Sequence, residues 1–111
     1  MTIQENKRGA VTVLKPVGPL TLADADQFKA KLLEVRQACM GRLVIDASAI
    51  SYVDSIGLET LLEMNEGLAQ IGQSLKLCGL NETFRQVLDL TGISSQFEQF
   101  EDVTSAVRSF I

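Results

Sequence analysis

The residues best suited to chemistry lie in one run, Ile50-Ser51-Tyr52-Val53-Asp54-Ser55-Ile56-Gly57-Leu58-Glu59. An aspartate beside a serine, just ahead of a leucine-rich segment, is a helix-capping arrangement. Either side chain can accept a hydrogen bond from the first unpaired helix amides. The same position suits a phosphoacceptor. A phosphate on Ser55 would add roughly −1.5 to −2 charges beside free N–H groups and the positive end of a helix dipole. Asp54 would oppose that charge, so the modification would act on the surface more than on the fold. Gly57 falls in the first helical turn, where Gly costs about 1 kcal/mol relative to Ala. Leaving the backbone around Ser55 open to another molecule is one physical reason for it. On spacing alone, ordinary caps and a modified serine are both open readings.

Most other chemistries lack their residues. The chain has no histidine, which removes Ser–His and Cys–His nucleophiles, histidine bases and most zinc sites. Cys39 and Cys78 form no CxxC pair; in apolar runs they read as small core residues of a reducing compartment. The carboxylates fall mostly at caps or on solvated helix faces. Asp46 and Asp54 are separated by a strand and a turn, and no shielded pocket for an acid–base pair emerges. Neither a catalytic residue, nor a metal, nor a cofactor is expected.

The net charge is −4, with no basic stripe. That argues against nucleic acid and anionic membrane surfaces, and suits partner faces that are basic or neutral. No apolar signal region opens the sequence, and no window approaches the roughly 18 continuous apolar residues of a membrane span. A cytoplasmic protein is expected.

The elements that would position Asp54 and Ser55 follow from periodicity. At 46% apolar and 111 residues, the chain is long enough for one core, and residues 1–111 read as a single domain. Ile3 to Lys7 and Val11 to Leu14 read as a β-hairpin turning at Gly9, which Pro16, Gly18 and Pro19 then break. Phe28, Leu32, Val35 and Cys39 share one helical face, with Thr21 or Asp24 as cap and Gly41 as stop. Leu43-Val44-Ile45 is a continuous apolar run, as a strand buried on both faces requires. A second helix starts near Asp54 or Ser55 and turns Leu58, Leu61, Leu62, Leu68 and Ala69 inward, closing at Gly72. Leu75 to Cys78 reads as a strand leaving at Gly79. Asn81 caps a third helix carrying Phe84, Val87 and Leu88 up to Gly92. Phe97 to Phe100 reads as a last strand, and Asp102 caps a final helix burying Val103, Ala106, Val107 and Phe110. Strand–helix alternation predicts an α/β fold: a mixed, mostly parallel sheet of about five strands with about four helices.

On these residues the chain resembles the STAS domain family, specifically anti-sigma factor antagonists. Asp54-Ser55-Ile56-Gly57-Leu58, following Leu43-Val44-Ile45-Asp46, is similar to the family signature. Gly18-Pro19-Leu20-Thr21, Leu75-Lys76-Leu77-Cys78-Gly79 and Val87-Leu88-Asp89-Leu90-Thr91-Gly92 resemble its other landmarks. The resemblance implies a partner switch: an anti-sigma factor serine kinase phosphorylates Ser55, the unphosphorylated form binds that kinase, and a serine phosphatase restores binding. It also implies a docking face made of Thr21, Asp24, Asp54, Ile56, Gly57 and Leu58. The chain departs from the family pattern at Thr21, where Asp is frequent, and at Ile56, where Ser, Thr or Ala is usual.

Two other readings fit the same loop. One is a constitutive docking subunit of a larger assembly, for example a lipid-transport ATPase, with Ser55 only a cap and Ile56 a contact. The other is small-ligand or nucleotide binding, which lacks a glycine-rich Walker loop and a basic residue close to Ser55.

Overall fold

A computed structural model describes residues 1–111. In chain order it contains β1 (Thr2–Arg8), β2 (Val11–Val17), α1 (Leu22–Cys39), β3 (Leu43–Asp46), α2 (Ser55–Ala69), β4 (Lys76–Cys78), α3 (Glu82–Leu90), a 3-10 turn (Ser94–Gln96), β5 (Glu98–Phe100) and α4 (Val103–Arg108). The strands lie in sequence order in one sheet. β1 and β2 are antiparallel, and every later pairing is parallel. This is the mixed five-stranded sheet with four helices and an N-terminal hairpin that the alternation predicted.

Strand alternation sorts side chains to two faces. Leu14, Leu43, Ile45, Leu75 and Leu77 join the main core with α1, α2 and α3. Val11, Val13, Val44 and Cys78 point the other way, onto Ala106 of α4. β3 is therefore covered on both sides, as its unbroken apolar run required. Both cysteines are buried and free. Burial, helped by Asp46 and Asp102, pushes the Cys78 thiol up to about 12, far from a reactive thiolate.

Two sequence expectations change, and one burial stands outside them. Pro16 does not end β2, which runs on to Val17 with Pro16 opposite Ile3. The amide of Thr12 donates to Arg42 on the β3 side at 3.0 Å, so even-numbered β2 residues face β3 and odd-numbered ones face β1. The missing N–H of Pro16 thus faces away from β1, beyond the last β2–β3 pair at Leu14 and Ile45, and no ladder bond is lost. In α2, Met64 is buried and Ala69 exposed, because the inward stripe runs through residues 58, 61, 64 and 68 rather than drifting to 69. Finally, Lys76 is buried, at 6% exposure. Its Nζ lies 2.7 Å from Ser109 Oγ, 3.5 Å from the Glu98 carboxylate and 4.0 Å from the centre of the Phe110 ring. These contacts tie α4 to the strand edge and satisfy a charge that would be costly if unpaired. None of the helices is long and apolar enough to cross a membrane.

Candidate functional site

Two loops meet above the C-terminal ends of the parallel strands. The segment after β2 and the segment before α2 run side by side: Gly18 N–H donates to the Ala49 carbonyl at 3.0 Å and Leu20 N–H to that of Tyr52 at 2.9 Å. Asp54 N–H returns to the Leu20 carbonyl at 3.2 Å, and Leu20 pairs with Val53 in a short parallel bridge. That bridge sets the start of α1 beside the start of α2.

Asp54 fastens the two starts together. Its Oδ1 accepts from Gly57 N–H at 2.8 Å, the N-cap bond of α2, and its Oδ2 accepts from Leu22 N–H at 3.0 Å, in the first turn of α1. One carboxylate caps two helices. The expected cap at Thr21 is not made: Thr21 precedes α1 with no side-chain bond to its amides, and the Asp24 amide, which such a cap would engage, bonds the Thr21 carbonyl at 2.9 Å. Thr21 Oγ1 donates instead to Asp24 Oδ2 at 3.2 Å, and Asp24 Oδ1 pairs with the amino group of Met1 at 3.2 Å. Asp24 is therefore a first-turn carboxylate tied down on both oxygens, not a cap.

The amides of Gly57 and Leu22 hold the Asp54 carboxyl below its ordinary value of 3.8. A carboxylate with a lowered folded value stabilises fully above its ordinary value and ceases to do so as pH falls through the folded one. The stability difference between wild type and Asp54→Asn, followed by urea unfolding, should therefore be constant from about pH 7 to about pH 5 and shrink below about pH 4. An unchanged difference at low pH would remove the carboxylate from this capping role.

Ser55 is the first residue of α2 and its side chain is exposed. Around it stand Leu22, 68% exposed, Tyr52, 52% exposed, and the half-buried Ile56. The structure thus presents an exposed hydroxyl beside a fixed carboxylate, on joined segments that also carry exposed Leu22 and Tyr52. Sequence reasoning missed Tyr52 as a member of this surface. Leu22 opens α1 and lies in solvent, although Ala25, three residues on, is buried.

Gly57 and Leu58, assigned to the docking face on resemblance, are both buried. A Cβ on Gly57 would lie 2.4 Å from the Leu20 carbonyl oxygen and 2.6 Å from Val53 Cγ2. Gly57 is required because the chain's own Leu20 segment crosses there, which corrects the expectation that it leaves backbone open to another molecule. Leu58 joins the main core and anchors α2 from beneath.

This sheet order, with a serine-bearing turn fixed between two helix starts, defines the STAS fold. Residues 2–106 match the STAS domain family, and the chain belongs to it. BtrV of Bordetella bronchiseptica, assigned as an anti-sigma factor antagonist, is 29% identical over 93 residues, spanning 84% of this chain and 80% of BtrV. The anti-sigma-F factor antagonist RsfB of Mycobacterium tuberculosis is 28% identical over 109 residues, 96% of this chain and 87% of RsfB. Among solved structures, unphosphorylated SpoIIAA, an anti-sigma factor antagonist, superposes with a TM-score of 0.77 at 18% identity, covering 98% of this chain and 96% of SpoIIAA. Phosphorylated SpoIIAA of Bacillus gives 0.74 at 18% identity, covering 99% and 100%. At such identities the structural likeness speaks for the fold.

Proposed function

We propose that this chain is an anti-sigma factor antagonist whose docking to a kinase-type anti-sigma factor is switched by phosphorylation of Ser55. The observation that carries the reading is the exposed Ser55 hydroxyl at the start of α2, in a turn that Asp54 fixes against α1. A kinase needs an accessible hydroxyl in a defined backbone, and this turn supplies both. The names of BtrV and RsfB support the antagonist assignment. The existence of SpoIIAA in both phosphorylation states supports a phosphate being tolerated by the fold.

The switch would act through charge. Unphosphorylated, Leu22, Tyr52 and Ile56 form an apolar contact surface. A phosphate would bring roughly −1.5 to −2 charges into that surface, next to an Asp54 carboxylate whose two oxygens are already committed. Desolvating that charge against a partner would be unfavourable, and a serine phosphatase would restore the apolar face. Asp24 keeps an acidic group 3.2 Å from the Thr21 hydroxyl.

Phosphosite mass spectrometry on the protein from its own cells, with Ser55→Ala as control, tests the reading. Phosphate on Ser55 in a fraction that varies with growth condition is expected. Its consistent absence while a partner stays bound would favour the constitutive docking subunit instead.

A further inference from the structure

β1 is an outer strand of the sheet, and its seven residues are exposed or half-buried. Its hydrogen-bonding parity follows from β2. Since Thr12 turns toward β3, the odd residues of β2 bond to β1, and their partners are Thr2, Gln4, Asn6 and Arg8. Ile3, Glu5 and Lys7 therefore direct their N–H and C=O groups outward, to an edge that no other strand fills. Unpaired edges of this kind are templates for another strand.

We infer that this edge pairs with a second copy of the chain, antiparallel, about a twofold axis at Asn6. Residues opposite one another across an antiparallel edge must both point outward or both inward, which excludes every register that sets an odd residue against an even one. Of the remaining central registers, an axis at Glu5 sets two carboxylates directly opposite and one at Lys7 sets two ammonium groups opposite, both unfavourable. One at Gln4 sets Ile3 against the partner's Glu5 and makes no charge pair. The axis at Asn6 sets Glu5 against the partner's Lys7 and Lys7 against the partner's Glu5. It also sets Gln4 against the partner's Arg8 and leaves Asn6 facing its own copy. Both opposite-charge pairs fall on the α1 side, where Lys31 already lies 2.8 Å from Glu5. Charge complementarity thus selects one register. The pairing uses none of the residues around Ser55, so both copies keep that turn free, and the inference stands apart from the proposed switch.

Five residues per strand bury less than the roughly 800 Å² per partner of a standard interface, so the dimer is weak and concentration-dependent. The test uses the full chain with Asn6→Cys under mild oxidation; native Cys39 and Cys78 are buried and do not compete. In the proposed register Asn6 faces its copy in a non-hydrogen-bonded pair, within reach of a disulfide. Asn6→Cys should cross-link at least ten-fold faster than Glu5→Cys. Adding Lys7→Glu should slow it at least ten-fold, and adding Glu5→Lys as well should restore it. Sedimentation of the unmodified chain at high concentration should show a reversible dimer that Lys7→Glu abolishes. Faster cross-linking by Glu5→Cys overturns the register, equal rates indicate random collision and overturn the pairing, and the absence of any dimer overturns the surface.

Discussion

Ser55→Asp is expected to weaken binding to a kinase-type anti-sigma factor by roughly 100-fold or more, while leaving thermal unfolding nearly unchanged. The two halves of that expectation have separate causes. Ser55 is exposed at the first position of α2, so a carboxylate there displaces no packed atom. The helix dipole favours a negative charge in the first turn, and Asp54 opposes it, so the net effect on folding is small. The docking surface has no such compensation: Leu22, Tyr52 and Ile56 would have to close over a new charge. Calorimetric titration with the cognate kinase, alongside a thermal melt, reads both halves. Tight binding by Ser55→Asp would count against the switch and in favour of a constitutive docking module.

Gly57→Ala should instead destabilise the fold and weaken docking together. By helix propensity alone the substitution gains up to about 1 kcal/mol. The clash outweighs that gain. The atom 2.4 Å from the new Cβ is the Leu20 carbonyl oxygen, a backbone atom that also accepts from Asp54 N–H. Relieving the contact means moving the Leu20 segment away from α2, which separates the two helix starts that Asp54 joins. Overpacking of this kind typically costs about 1–3 kcal/mol, read as a fall in the urea midpoint. A Gly57→Ala protein at least as stable as wild type would show that the Leu20 segment yields freely and that Gly57 has no packing role. Taken together, the two variants separate charge on the docking surface from the scaffold beneath it.

Much of this architecture was legible in the residues. The stripe of Phe28, Leu32, Val35 and Cys39, the apolar run Leu43-Val44-Ile45, and the caps Asn81 and Asp102 each encode their element locally, through period or through a side chain reaching three residues along. Asn81 accepts from Phe84 N–H at 2.7 Å and Asp102 from Ser105 N–H at 2.7 Å, as caps read from sequence should. Periodicity failed at residues whose surroundings come from distant parts of the chain. Nothing in the run Leu75 to Cys78 shows that Lys76 is enclosed by Ser109 and Phe110, just beyond α4, and by Glu98 of β5. Leu22 opens α1 in solvent while Ala25, three residues on, is buried.

The site divides along the same line. By itself the sequence determined that α2 would start at Asp54 or Ser55 with one of the two as its cap, because a cap bond joins residues only three apart. The structure makes Asp54 the cap and Ser55 the first helical residue. Only the tertiary structure decided that the same carboxylate also holds α1, through an amide 32 residues away. Likewise, only the crossing of the Leu20 segment over Gly57 shows why a glycine stands in that helix. Period and capping act over a turn or two, whereas the bond from Leu22 and the approach of Leu20 exist only once parallel β2 and β3 have brought the two loops together.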